Sequence, residues 1–303
     1  MSGHGSLDRR ALTLAALTVL ASAIGTARAA PIRTASPGTG AVEGFSFVER
    51  LITGDESGGG ERLGTTVAWS ELRYTPSARW QVGVRVPFTL AQTVRTSGLG
   101  EASRSGLGDV WTAAKFRFFR QVGRWWDQQA AAELSVKLPT GASNAPVDPR
   151  WPLQNQRDAQ LGTGSTDARL DLSYQRGHGR FVQAADASYR KNGRGAAGYT
   201  AGDEARLDLD AEYILLPRGY RVPGHELFTL LEATAVHKEA DEHAGLVIPP
   251  TRRTELLVAP GLEYVATDQL ALELSLQVPV AARVPAGGRR SRANLLLDLH
   301  YAF

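Results

Sequence analysis

Chemistry in this 303-residue chain would have to come from histidine, hydroxyl and carboxylate groups, because it contains no cysteine. That absence removes thiolate nucleophiles, thiolate metal sites and any disulfide framework. Beyond residue 29 there are five histidines: His178, His225, His237, His243 and His300. General-base catalysis needs a nucleophile within hydrogen-bond reach of the imidazole. His237 is best placed, because its parity puts it on an outward face near a rim, where a lipid hydrolase would work. No serine shares that face on its own or the expected neighbouring segments, so no catalytic residue is expected and His237 reads as an interfacial side chain. There are no paired histidines and no close His/carboxylate spacing, so neither a metal site nor a cofactor is expected.

The remaining chemistry is charge. Asp109, Lys137, Asp167, Arg190, Glu204, Lys238 and Glu255 stand near the ends of successive segments and alternate in sign. On a closed sheet they would form a ring at one mouth. Opposed charges there could stiffen the rim, at ~0.2–1 kcal/mol per pair, or form a constriction that selects solutes. Selection by sign needs one sign to dominate or the two to segregate, so alternation favours the stiffening role. Deeper along one segment, Asp208, Asp210 and Glu212 make the one concentrated acidic patch, with Lys115, Arg117 and Arg169 as candidate partners.

The elements that must position these groups read as strands. From Arg79 to Ala91, Trp80, Val82, Val84, Val86, Phe88 and Leu90 alternate with Gln81, Gly83, Arg85, Pro87 and Thr89. From Leu270 to Ala281 an apolar parity of leucine and valine alternates with Glu273, Ser275 and Gln277. This period of two recurs in twelve segments, the first and weakest at 42–53 and the last at 293–303. Connections alternate in length. Short ones fall at 75–79, 120–128, 177–179, 217–225 and 266–269, and long ones at 54–62, 92–106, 140–165, 191–202, 239–252 and 282–291. Short turns opposite long loops, an even strand number and segments of about eleven to thirteen residues describe a transmembrane barrel. The expected fold is therefore all-β, an antiparallel up-and-down barrel of about twelve strands, with the apolar parity on lipid. A lipocalin-like soluble barrel shares the alternation but not the loop asymmetry.

The ends fit export. Arg9-Arg10, an apolar run from Ala11 to Gly25 and Ala27-Arg28-Ala29 have the order of a cleaved signal peptide, and the apolar run is short of the ~20 residues a membrane helix needs. The expected organisation is a leader at 1–29, a periplasmic tail at 30–41 and a barrel at 42–303, located in the outer membrane of a Gram-negative cell. Removing the leader takes Arg9, Arg10, Arg28 and Asp8 from a net +3 and leaves about +1, which excludes the basic footprint of nucleic-acid binding. The last segment ends on Tyr301 and Phe303, which resembles the terminal signal read by the barrel-assembly machinery. These two residues are expected to act in assembly, and outer-membrane lipid and that machinery are the expected partners.

Gly106-Leu107-Gly108-Asp109, Leu138-Pro139-Thr140-Gly141 and Gly162-Thr163-Gly164-Ser165-Thr166-Asp167 resemble, in this order and spacing, the outer-membrane family named for the meta-pathway of phenol degradation. The resemblance spans roughly residues 60–303. It implies a β-barrel transporter for small solutes, aromatic compounds among them, and brings no catalytic or binding residues with it. The leading expectation is passive solute uptake, with the 140–165 loop folding inward to plug or gate the pore. The alternatives are a sealed barrel with a structural or surface-interaction role, and an outer-membrane hydrolase using His237.

Overall fold

The computed structural model describes residues 44–303 except 125, 218–224 and 268. The leader at 1–29, the tail at 30–41 and Trp125 lie outside the described residues. In chain order the strands are β1 (Gly44–Gly58), β2 (Glu61–Ser77), β3 (Trp80–Thr96), β4 (Gly100–Leu107), β5 (Val110–Val122), β6 (Trp126–Leu138), β7 (Asp167–His178) and β8 (Phe181–Lys191). There follow β9 (Tyr199–Thr200), β10 (Glu204–Leu216), β11 (Glu226–Lys238), β12 (Asp241–His243), β13 (Leu246–Ile248), β14 (Arg253–Val265), β15 (Leu270–Arg283) and β16 (Arg290–Ala302).

Each long strand pairs antiparallel with its neighbours in sequence, and β1 pairs with β16 from Ser46↔Ala302 to Ser57↔Arg290, which closes the sheet. With β4 and β5 counted as two halves of one wall segment, the barrel has twelve strands. Phe303 completes the seam: its N–H donates to the Phe45 carbonyl at 3.0 Å, and the two rings stack at 6.0 Å.

The pleat sorts the residues into two environments. On the outside, Val84, Leu134, Leu172, Leu209, Leu231, Leu274 and Leu297 are exposed and form an apolar belt. Phe45, Tyr74, Trp80, Tyr174, Phe181 and Tyr264 are exposed at the end that carries the short turns, where an aromatic girdle meets the membrane interface. The buried face is acidic, basic and hydroxylic. A soluble barrel has the reverse arrangement, so the fold is that of an outer-membrane barrel, and closure removes the exposed edges that long strands would otherwise present.

Three features differ from the sequence reading. Segments 54–62 and 92–106 are strand for most of their length, so the β1–β2 and β3–β4 hairpins rise past the rim. Beyond the lipid they have no apolar outer face, and only scattered residues such as Leu63, Val94 and Ala102 pack inward, so the sustained apolar alternation that marks a strand is missing. The segment read as one strand at 107–119 breaks at Gly108–Asp109, between β4 and β5. The 140–165 loop carries a short helix, α1 (Leu153–Asp158), and the small sheet β9-β12-β13 stands above the mouth.

Candidate functional site

The three glycine motifs converge on one carboxylate. Asp109, buried between β4 and β5, accepts from Gly141 N at 2.9 Å, Thr163 N at 2.8 Å and Thr163 Oγ1 at 2.8 Å. One arm of the 139–166 segment contributes Gly141 and the returning arm contributes Thr163, so Asp109 clasps both. Thr140 Oγ1 adds a bridge, donating to the Gly108 carbonyl at 3.2 Å and accepting from Val110 N at 2.9 Å. The arms cross so closely that a Cβ on Gly162 would lie 2.4 Å from the Gly141 carbonyl oxygen, and one on Gly141 would lie 2.8 Å from Gly162 Cα. Only glycine fits at this crossing.

From this clasp the segment packs on the adjoining β3–β4 hairpin and extends to Arg289, between β15 and β16. Trp151 and Ala159 bury against Val94 of β3, with Leu63, Leu99, Ala102 and Val147 around them. Trp151 Nε1 donates to the Leu99 carbonyl at 3.2 Å, and Asn155 Nδ2 donates to Thr96 Oγ1 at 2.7 Å. The tall hairpins provide the wall on which this segment rests. Asp158 closes the contact: it pairs with the buried Arg289, from the connection between β15 and β16, and with Arg157 at 2.9 Å. Burial alone would raise the Asp158 carboxyl, but the two guanidinium groups outweigh it and hold it below the usual carboxylate range.

A cavity of about 240 Å³ lies between this segment and the loop residues around Tyr199 and His243, lined by Asn144, Val147, Leu153, Gln156, Arg157, Gln160 and Thr163 among others. The Arg157 guanidinium stands 5.9 Å from the centre of the Tyr199 ring. Tyr199 donates to Asp241 at 2.5 Å, and burial together with that carboxylate pushes its phenol above the usual range.

The seven mouth charges are held by loops as much as by one another. Lys137 pairs with Asp167, lies 3.5 Å from Asp109 and donates to Ser165 Oγ at 3.1 Å. Asp167 also accepts from Gly193 N at 3.0 Å. Arg190 pairs with Glu204 at 2.9 Å, and Glu204 faces Lys238 across the ladder. Lys238 turns away to Asp241 at 2.7 Å. Glu255 lies one step deeper, opposite Val236, and accepts from Ser291 N at 3.0 Å and Ser291 Oγ at 2.9 Å.

Deeper in, the charges segregate. Arg73 on β2, Arg85 on β3, and Lys115 and Arg117 on β5 stand on one wall, with Glu71 and Glu133 between them: Arg85 pairs with Glu71 at 3.0 Å and Glu133 at 2.5 Å. The wall from β8 to β16 buries Asp186, Asp208, Asp210, Glu212, Glu232, Glu263, Glu273 and Asp298, each at 5% exposure or less. Lys115 goes to Glu133 at 3.2 Å, Arg117 to Gln129 at 3.0 Å and Arg169 to Asp171. Instead Arg206 pairs with Asp208 at 2.6 Å along the same strand, and Thr234 Oγ1 donates to Asp208 at 2.6 Å. Sequence reasoning sought opposite charges across strands and missed the basic-x-acidic spacing along them. Arg169-x-Asp171, Arg206-x-Asp208 and the reversed Glu71-x-Arg73 were its visible signal.

His237 sits on the outer rim, 2.7 Å from Thr254 Oγ1 and 3.3 Å from Glu239, whose carboxyl is held low first by that imidazole and then by Arg252. His300 is buried in the lumen. Among the described residues no group of three His, Asp or Glu side chains is disposed to hold a metal ion.

The family model described as "Putative MetA-pathway of phenol degradation" matches residues 50–291. The chain belongs to this family. No curated protein sequence matches it. Among solved structures, an outer-membrane channel from Pseudomonas putida F1 is similar at 17% identity and TM-score 0.64, covering 93% of this chain and 99% of that one. The β domain of the Bordetella autotransporter BrkA is similar at 13% identity and TM-score 0.54, covering 86% and 100%. At these identities the likeness is one of fold, and both relatives are outer-membrane barrels.

Proposed function

We propose that this protein is an outer-membrane channel for passive uptake of small solutes, gated by the plug over its outer mouth, and that it is not an enzyme. The observation that carries this reading is the closed barrel with an apolar outside, a charged lumen and a mouth covered by a separate loop. Apart from the Trp151 cluster, that loop is held by hydrogen bonds and ion pairs that water can replace. A sealed structural barrel has no use for a cover of this kind.

Single-ring aromatic compounds are the solute class favoured by the cavity between the plug and the loop residues around Tyr199. A dry apolar cavity of ~150 Å³ already accepts benzene. The cavity here is larger, at about 240 Å³, and offers Tyr199 and Leu153 for a ring, with Asn144, Gln156 and Gln160 for a polar substituent. The name of the family points the same way. The Thr254–His237–Glu239 contact fits a chain of rim hydrogen bonds, because Glu239 is further tied to Arg252 at 2.9 Å. Outer-membrane lipid around the apolar belt and the barrel-assembly machinery acting on the Phe303 end are the partners this reading requires.

The test is uptake of phenol, benzoate and benzylamine into proteoliposomes containing the full barrel. Swelling faster than in protein-free vesicles for at least one of them supports a channel. Protein-free rates for all three, from wild type and from a variant lacking residues 144–160, overturn it.

A further inference from the structure

Like charges directly opposed in a ladder are destabilising, yet this lumen pairs acid with acid in register again and again. Glu133 faces Asp171, Asp186 faces Asp208, Asp210 faces Glu232, and Glu273 faces Glu263 on one side and Asp298 on the other. Glu133 and Asp298 each also face a base, Lys115 and Arg50, but Asp171, Asp186 and Asp208 have no base opposite them in the ladder, and Arg169 and Arg206 stand on the same strands as their acids, two residues away.

One of these carboxylates is distinctive. Asp186, on β8, is 0% exposed, and neither of its oxygens has a hydrogen-bond partner in the protein. Its direct neighbours across the two ladders are Asp208 and Ser173, with Asp171 on the diagonal toward β7. Asp171 and Asp208 each pair with an arginine; Asp186 has no ion pair, and the charges of Arg169 and Lys115 reach it only from a distance. A buried ionised carboxylate without a partner costs several kcal/mol, so this group either holds a proton or is complemented by a positive group supplied from outside the chain. No three of these groups converge tightly enough to cage a metal ion among the described residues. A monovalent group would match the single carboxylate that lacks an ion pair.

We propose that the lumen below the plug is a cation path, and that Asp186, flanked by Asp171 and Asp208, is a station for a monovalent cationic group. That group is an alkali ion or the ammonium of a small amine. The proposal rests on the uptake reading and narrows it: amines enter and carboxylates are turned back by the acidic wall.

The full barrel, reconstituted in planar bilayers under a KCl gradient, gives a zero-current potential corresponding to a K⁺:Cl⁻ permeability ratio above about 3, and Asp186→Asn lowers that ratio at least about twofold. A ratio at or below one overturns the proposal. In proteoliposomes benzylammonium permeates faster than benzoate, and the reverse order also overturns it. A third measurement does not depend on conduction: the midpoint of heat modification in detergent, in KCl, methylammonium chloride or the chloride of the bulky N-methylglucamine cation at equal ionic strength. Wild type melts at least about 2 °C higher in KCl or methylammonium than in N-methylglucamine, and Asp186→Asn loses the difference. Stabilisation by K⁺ alone assigns the station to alkali ions, and stabilisation by methylammonium assigns it to amines as well. Equal wild-type midpoints in all three salts overturn the station whether or not current flows, and they do so even if the variant fails to fold. A barrel that shows this salt dependence but passes neither ion nor solute refutes the uptake reading alone.

Discussion

Replacing Asp109 with alanine should release the plug without harming the barrel. The carboxylate accepts three hydrogen bonds, at 2.9, 2.8 and 2.8 Å, from the two arms of the 139–166 segment. Hydrogen bonds to a charged group contribute roughly 1.5–3 kcal/mol each. Water reaches the freed donors at the mouth and recovers part of that sum, which leaves about 3–5 kcal/mol for the clasp. Lys137 is not stranded by the change, because Asp167 and Ser165 still hold it. A loss of ~3 kcal/mol raises the released population about a hundredfold. Trypsin cleavage after Arg157, whose side chain packs in the plug, reports that population as long as opening and closing are fast relative to cleavage. Cleavage after the exposed Arg150 provides the internal control. The variant should be cut after Arg157 about a hundred times faster than wild type, and Asp109→Asn should fall between the two. An Arg157 rate within threefold of wild type, in a barrel that still shifts on heating, would refute the clasp.

Three further outcomes follow from the same geometry. Gly162→Ala places a methyl 2.4 Å from the Gly141 carbonyl oxygen, so it should loosen the plug by ~1–3 kcal/mol and speed cleavage after Arg157 in proportion. The Asp158 carboxyl is held below its ordinary value of 3.8, so its contribution is fully present above that pH and is lost only as pH falls through the depressed value. The cleavage rate should therefore stay flat from neutrality to about pH 4, tested with an acid-active protease at the low end, and Arg289→Ala should shift its rise to higher pH. Deleting Phe303, which closes the β1–β16 seam through its backbone and stacks on Phe45, should lower the amount of heat-modifiable barrel while each surviving pore keeps normal conductance.

The barrel was legible because lipid enforces strict alternation. β11 and β14 fall at the expected residues, and the weak first strand exists because Phe45, Phe47 and Leu51 share one parity. Legibility ended where the lipid ended. Thr93, Ser103 and Arg104 lie beyond the lipid, and the few apolar residues between them, such as Val94 and Ala102, face the 140–165 segment and set up no apolar rhythm, so the β3–β4 hairpin read as loop. Helix α1 has six residues and no capping side chain, so it left no periodic trace. At the mouth, Asp109 was read as one charge among seven, although its role depends on Gly141 and Thr163, which are distant in sequence and adjacent only after folding. The acidic wall was half visible. Asp208, Asp210 and Glu212 stood out on their strand, but their neighbours Asp186 and Glu232 could be placed opposite them only with the register in hand.

Current through the reconstituted barrel tests the account most directly, measured for wild type and for a variant lacking residues 144–160. The account predicts small or intermittent conductance for wild type and a larger, steadier conductance once the plug is gone. Equal conductance from the two proteins, or none from either while both remain heat-modifiable, would contradict it.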